Sequence, residues 1–142
     1  MNQSDGGEGV PDLMGSVLRA ARAVEDRIEQ GLAAEGLSMA KLGVLNVLVE
    51  APQPLSLGEV ATRLACVRSN VTQLVDRLEA QGLVQRRPDP GDRRSVAAVI
   101  TEDGRTRQEV GARVLESLQA QVAESLSGFN LDHLEEALRA LK

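Results

Sequence analysis

The spacing of apolar residues changes once along this 142-residue chain, and that change limits the folds open to it. On either side of it, apolar residues recur every three or four positions, as on one face of a helix. Between Gly82 and Thr101 they sit instead in two β-compatible runs, "LVQRR" and "SVAAVIT", joined by "PDPGDRR". The Pro, Gly and Asp of the joint supply turn chemistry, so the segment reads as a hairpin. One hairpin set among helices makes the chain mainly α with a small β-hairpin.

The helices have readable ends. Asp12 is placed to cap a first helix whose stripe is Leu13, Val17, Ala20, Val24, Ile28 and Leu32, and Gly36 ends it. Ser38 caps a second, "MAKLGVLNVLVEA", apolar on most sides and therefore buried, which Pro52 and Pro54 stop. Ser56 and Glu59 have capping-box spacing at the head of a short third helix. A fourth, "SNVTQLVDRLEAQ", runs to Gly82 and buries Val71, Leu74, Val75 and Leu78. After the hairpin, Thr101 caps a long fifth helix, from 102 to about 126, and a last helix spans roughly 131 to 141. Residues 1–10, rich in Gly and polar side chains, read as a disordered tail before a single domain over 11–142. The first helix and the last two carry apolar stripes that so small a centre cannot cover. A two-fold homodimer is the common solution, which makes 11–36 and 102–142 dimerisation helices.

Charge is unevenly placed. The chain carries −5, yet residues 63–94 hold seven arginines against four acids, a local +3, while nine basic and seventeen acidic residues leave −8 elsewhere. Arginine suits planar phosphate and base contacts. A solvated basic face is the bland alternative. One Phe and neither Tyr nor Trp argue against a stacking surface for single-stranded nucleic acid.

A short helix, a tight turn and a helix with a polar outer face form a helix-turn-helix, and the following hairpin forms a wing. The expected architecture is a winged helix-turn-helix core over 38–101, flanked by the N- and C-terminal dimerisation helices. Arg can bond guanine bidentately, and Asn or Gln can bond adenine. Arg68, Asn70, Gln73 and Arg77 supply those types along the outer side of the fourth helix, and Ser69 and Thr72 can reach phosphates or bases. At the hairpin tip, Arg94 can enter a minor groove, and Asp92 can bond its guanidinium. Arg93 is a phosphate contact or a solvated neighbour.

The stretch "ATRLACVRSNVTQLVDRLEAQGLVQRRPDPGDRRSVAAVITEDG" resembles MarR-type transcriptional regulators. The resemblance rests on "VTQLVDRLEAQGLV" for the recognition helix, "DRR" for the D-x-R wing motif and "ITEDG" for the start of the long helix, and it covers about residues 38–111. It implies a dimeric repressor of pseudopalindromic operators, with Arg94 in the minor groove and Asp92 steadying it. It also implies a pocket, between the outer helices and the DNA-binding lobes, for a small aromatic or phenolic effector. One departure is Ala65-Cys66-Val67, where relatives often carry Gly-Val-Ser/Thr. Val67 cannot cap a helix, so Ser69 is expected to cap and the helix to start later.

Other chemistry finds little footing. No glycine-rich phosphate loop, Ser/His/Asp set or nucleophile elbow is present, so no enzyme is expected. The lone His133 reads as exposed or capping, and no metal or cofactor is expected. No apolar run spans a bilayer and no secretory signal precedes the domain, so a cytoplasmic protein without a membrane partner is expected. The single Cys66 forms no internal disulfide; it packs as a small hydrophobe or, alternatively, senses oxidants. A winged-helix protein-interaction module is the competing function class.

Overall fold

The computed structural model describes residues 10–142. The expected tail falls outside them except for Val10, which is exposed. Helix α1 (Leu13–Ala33) leads to α2 (Met39–Glu50), a two-residue strand β1 (Leu55–Ser56), α3 (Leu57–Leu64) and α4 (Arg68–Ala80). The hairpin β2 (Val84–Pro88) and β3 (Val96–Ile100) follows, then α5 (Glu102–Ser125) and α6 (Leu131–Arg139). The sheet is antiparallel in the order β1-β3-β2, with Val84 opposite Ile100 and Leu55 opposite Ala98. Strand β1 is an addition to the expected hairpin. Two residues are too few to show a period, and their partners lie some forty positions away.

The caps form where the sequence places them. Asp12, Ser38, Ser56 and Thr101 accept from the amides of Gly15, Lys41, Glu59 and Gly104. Glu59 completes its box by accepting from the Ser56 amide at 2.8 Å. That backbone hydrogen bond, then the Ser56 side chain, hold the Glu59 carboxyl below its ordinary value; burial opposes them, and the Arg63 charge adds the smallest lowering effect.

The core is wholly aliphatic. Leu42, Leu45 and Leu48 of α2 pack with Val60 of α3, Val71, Val75 and Leu78 of α4, and Val84 and Ala98 of the sheet. Each leucine or valine among them contributes about 1.5–3 kcal/mol on full burial. Helix α4 is thereby fixed from behind, and its opposite side faces outward.

Three helices end in the same way. The amides of Leu37, Cys66 and Leu83 reach back five residues to the carbonyls of Leu32, Ala61 and Leu78 at 2.9, 3.0 and 2.9 Å. This six-to-one bond needs a left-handed residue just before the donor. Gly36 (φ 69°) and Gly82 (φ 74°) supply it at α1 and α4, but α3 uses Ala65 at φ 52°.

The turn corrects the expected start of the recognition helix. Helix α4 begins at Arg68, with Val67 as an N-cap that makes no side-chain bond. Once Ala65 has turned the chain, the extended Val67 (φ −75°, ψ 144°) directs it into the helix, and its carbonyl accepts from Asn70 and Val71. Backbone geometry overrides the capping preference, and Ser69 lies inside the first turn.

Only the inner ends of α1 and α5 meet the core. Leu32 is buried, whereas Leu13, Met14 and Leu18 near the other end of α1 are 64%, 77% and 53% exposed. No residue of α6 is buried. A groove between α1 and α6, lined by Leu13, Met14, Val17, Leu134, Leu138 and Leu141, therefore presents a continuous apolar surface.

The left-handed region costs a residue with a Cβ roughly 1–2 kcal/mol, partly offset by the greater unfolded-state entropy of glycine. Ala65→Gly is therefore expected to raise the thermal midpoint by roughly 2–5 °C at matched protein concentration. A lowered midpoint in differential scanning calorimetry would mean that the Ala65 methyl makes contacts worth more than the strain.

Candidate nucleic-acid interface

Helix α4 presents the polar side chains chosen from sequence. Arg68, Ser69, Asn70, Gln73 and Arg77 are exposed, and Thr72 is half-buried with its hydroxyl donating to the Arg68 carbonyl at 3.0 Å. Helical spacing divides them. Asn70, Gln73 and Arg77 line an open depression toward α2, floored by Gly43, Leu64 and Leu74. Ser69, Thr72 and Asp76 follow the flank toward the wing. Arg68 occupies the first helical position, where a cation opposes the helix dipole. The same end lacks a side-chain cap and carries no acid in its first turn. An incoming anion would relieve all three features.

The wing tip is built by its acids. Asp89 Oδ1 accepts from the Gly91 amide and Asp92 Oδ1 from the Arg94 amide, each at 2.9 Å. The main chain closes beneath them: the Asp89 amide donates to the Ser95 carbonyl at 3.0 Å, and the Ser95 amide to Asp92 at 2.9 Å. Asp92 therefore orients Arg94, but through the backbone and not through the guanidinium as expected. An acid two residues before an amide closes a local ring more readily than it traps a long side chain. Arg93 and Arg94 project into solvent and enter no ion pair among the described residues.

Arg86 departs from the basic face to which its charge assigned it. Its guanidinium bonds Asp76, and its second nitrogen meets Glu79 at 3.1 Å. Its amide donates to Glu79 at 2.8 Å as well. Burial pulls the Arg86 pKa down, but the bonds to Asp76 and Glu79 outweigh it and leave the group above its ordinary value. The pair Asp76 and Glu79, one turn apart on α4 and facing β2, is the signal that sequence reading passed over. The fork fastens the wing to α4 and pairs two acids beside the candidate DNA surface with one guanidinium.

The fold and this surface have known counterparts. The MarR family profile matches residues 35–95. The HTH-type transcriptional regulator YkoM of Bacillus subtilis is 30% identical over 125 residues, 87% of this chain and 78% of that protein. The chain belongs to the MarR family.

At 33% identity, the regulator PrsX of Escherichia coli aligns with 65% of this MarR-family chain, which spans 56% of PrsX. The repressor CouR, solved bound to a 23-mer DNA duplex, is 28% identical with a TM-score of 0.75, and the match covers 91% of each chain. CouR from Rhodococcus jostii RHA1 was also solved with p-coumaroyl-CoA, at 26% identity, TM-score 0.70 and coverage of 92% of this chain and 90% of that one. These relatives are transcriptional regulators. The architecture is a winged helix-turn-helix with outer helices.

Two further features lie near the MarR-type core. Cys66 is half-buried and packs against the core, as a small hydrophobe would. A cavity of about 310 Å³ opens between the outer helices and α2, lined mainly by Val24, Ile28, Met39, Leu115, Leu118 and Val122, with Arg27 at its edge. His133 is exposed; its amide is capped by Asn130. No helix among the described residues is long and apolar enough to cross a membrane.

Replacing Arg86 by Met keeps the apolar stem and removes the fork. Because Asp76 and Glu79 are 57% and 41% exposed, screening limits the expected loss of stability. Urea unfolding is expected to register about 1 kcal/mol. No change would mean that the wing is held by sheet pairing alone.

Proposed function

We propose that this chain is a sequence-specific, double-stranded-DNA-binding repressor that acts as a homodimer on a pseudopalindromic operator. The observation that carries the reading is the joint presentation of an uncapped, arginine-led recognition helix and an arginine-tipped wing by one rigid lobe. In this reading the residues over 38–101 form the DNA-binding lobe. Two copies of α4 enter successive major grooves, about 34–36 Å apart. Arg68, Asn70, Gln73 and Arg77 meet base edges and neighbouring phosphates, and Ser69 and Thr72 add hydroxyl contacts. Arg94 reaches the flanking minor groove, Asp92 holds its backbone, and Arg93 lies against the phosphates.

The apolar groove between α1 and α6 supports the homodimer. Leu138 and Leu141, 48% and 67% exposed, would be covered by the same surface of a second copy. The 310 Å³ cavity supports an effector site. Its lining is apolar except for Arg27 and Gln119, which suits a small aromatic or phenolic acid with its carboxylate toward Arg27. CouR's p-coumaroyl-CoA complex supports a ligand of that chemistry. An occupant would contact the outer helices and α2 together, and would alter affinity wherever it fits one lobe orientation better than another.

Arg94→Ala tests the wing. The folded variant is expected to bind operator DNA more weakly, with a salt slope shallower by about one unit. A phenolic acid added to the wild type should lower affinity in the same fluorescence-anisotropy assay. An unchanged affinity and slope for the variant would remove the wing from the interface, and indifference of the wild type to phenolic acids would remove the effector.

A further inference from the structure

The corner between α1 and α2 is held from three sides. Arg107 of α5 donates through Nη1 to the Glu35 carbonyl at 2.6 Å. Gln81, the C-cap of α4, donates through Nε2 to the Gly36 carbonyl at 2.9 Å, and Lys41 of α2 reaches the same oxygen at 3.3 Å. Carbonyls just past a helix C-terminus carry partial negative charge, so cations and amide donors are favoured there. The site is tight: a Cβ on Gly36 would lie 3.2 Å from both Arg107 Nη1 and Gln81 Nε2. From the other side, Thr101 donates through Oγ1 to the Gly82 carbonyl at 2.7 Å and through its amide to Leu83 at 3.1 Å.

The end of the recognition helix is thus pinned between the two long outer helices. Among the described residues, Gln81–Gly36 is the hydrogen bond that joins α4 and its cap to the α1–α2 corner. Gln81 is itself exposed, 45 residues from its partner in sequence, and contributes little to the core. An exposed bond of this kind is weak as a stabiliser. As a lever it is well placed, since a small shift at the C-terminal end of a 13-residue helix swings its DNA-facing N-terminus.

From this geometry we infer that Gln81 is a positioning residue. By holding Gly36, with Arg107 holding Glu35 beside it, it sets the angle of α4 against the outer helices and so the half-site spacing the dimer accepts. The inference rests on the homodimeric DNA-binding reading and names the joint through which spacing is fixed. Met39, three residues beyond the corner, lines the cavity, and its amide donates to Glu29 of α1 at 3.2 Å. An occupant of the cavity would touch Met39 and so bear on this joint through the start of α2.

The test uses full-length protein and a duplex selected from a random pool by the wild type, together with versions whose half-sites are moved one base pair closer or further apart. Wild type is expected to discriminate against the altered spacings. Gln81→Ala should bind the selected duplex more weakly, by up to roughly 10-fold, because the cost of holding α4 at the binding angle, no more than about one hydrogen bond, is then drawn from the binding free energy. It should discriminate less among the three spacings, with an unchanged salt slope because no phosphate contact is lost. Arg107→Met should flatten the discrimination in the same way, which keeps the test open if one variant folds poorly. Gln81→Lys, which retains a donor of similar reach, should keep the wild-type preference. A Gln81→Ala protein with the wild-type spacing preference would overturn the inference alone. A wild type that shows no spacing preference, or binds no duplex, would overturn the dimeric reading with it.

Discussion

An acidic chain can bind a polyanion when its positive charge is gathered on one face, because acids beyond the screening distance, about 8 Å at physiological salt, are felt little there. With −8 outside residues 63–94 and +3 within them, placement decides the outcome and the net charge does not. The aliphatic core, the left-handed turn at Ala65 and the hairpin together hold Arg68, Arg77, Arg93 and Arg94 on one lobe. The Asp76–Arg86–Glu79 fork offsets part of the acid charge there by pairing two carboxylates with one guanidinium. Residues 11–36 and 102–142, which hold the outer helices, carry −5 of that −8.

That arrangement exposes local features that are unfavourable in isolation. Helix α4 starts with a cation and no cap, α3 ends in a left-handed alanine, and α6 buries nothing. Each sits next to a surface to which the proposed function gives a partner: a phosphate backbone, the recognition-helix turn and a second subunit. The wholly aliphatic core supplies the stability against which such costs are tolerated.

Much of this could be read in the residues because it is local. A cap, a capping box and a Pro/Gly turn act within four positions, so Asp12, Ser38, Ser56–Glu59, Thr101 and the hairpin were readable directly. What escaped was non-local or a contest between local rules. Strand β1 exists only because Leu55 and Ser56 meet Ala98 and Ala97. The start of α4 was set by the turn at Ala65 against the preference for a serine cap. Asp92 found an amide nearer than the guanidinium. Arg86 counted as part of a basic face until Asp76 and Glu79 appeared opposite it, and Gln81 gave no sign of reaching Gly36. The exposed polar face of α4 was legible from periodicity, which fixes a face without saying what each side chain meets.

The central claim is that two such lobes, held at a fixed separation, read one duplex. Hydroxyl-radical footprinting of the protein on a selected duplex tests it most directly. The account predicts two protected half-sites with centres about 10–10.5 base pairs apart, flanked by minor-groove protection from the wings. A single protected half-site, or uniform protection without two-fold symmetry, would contradict it.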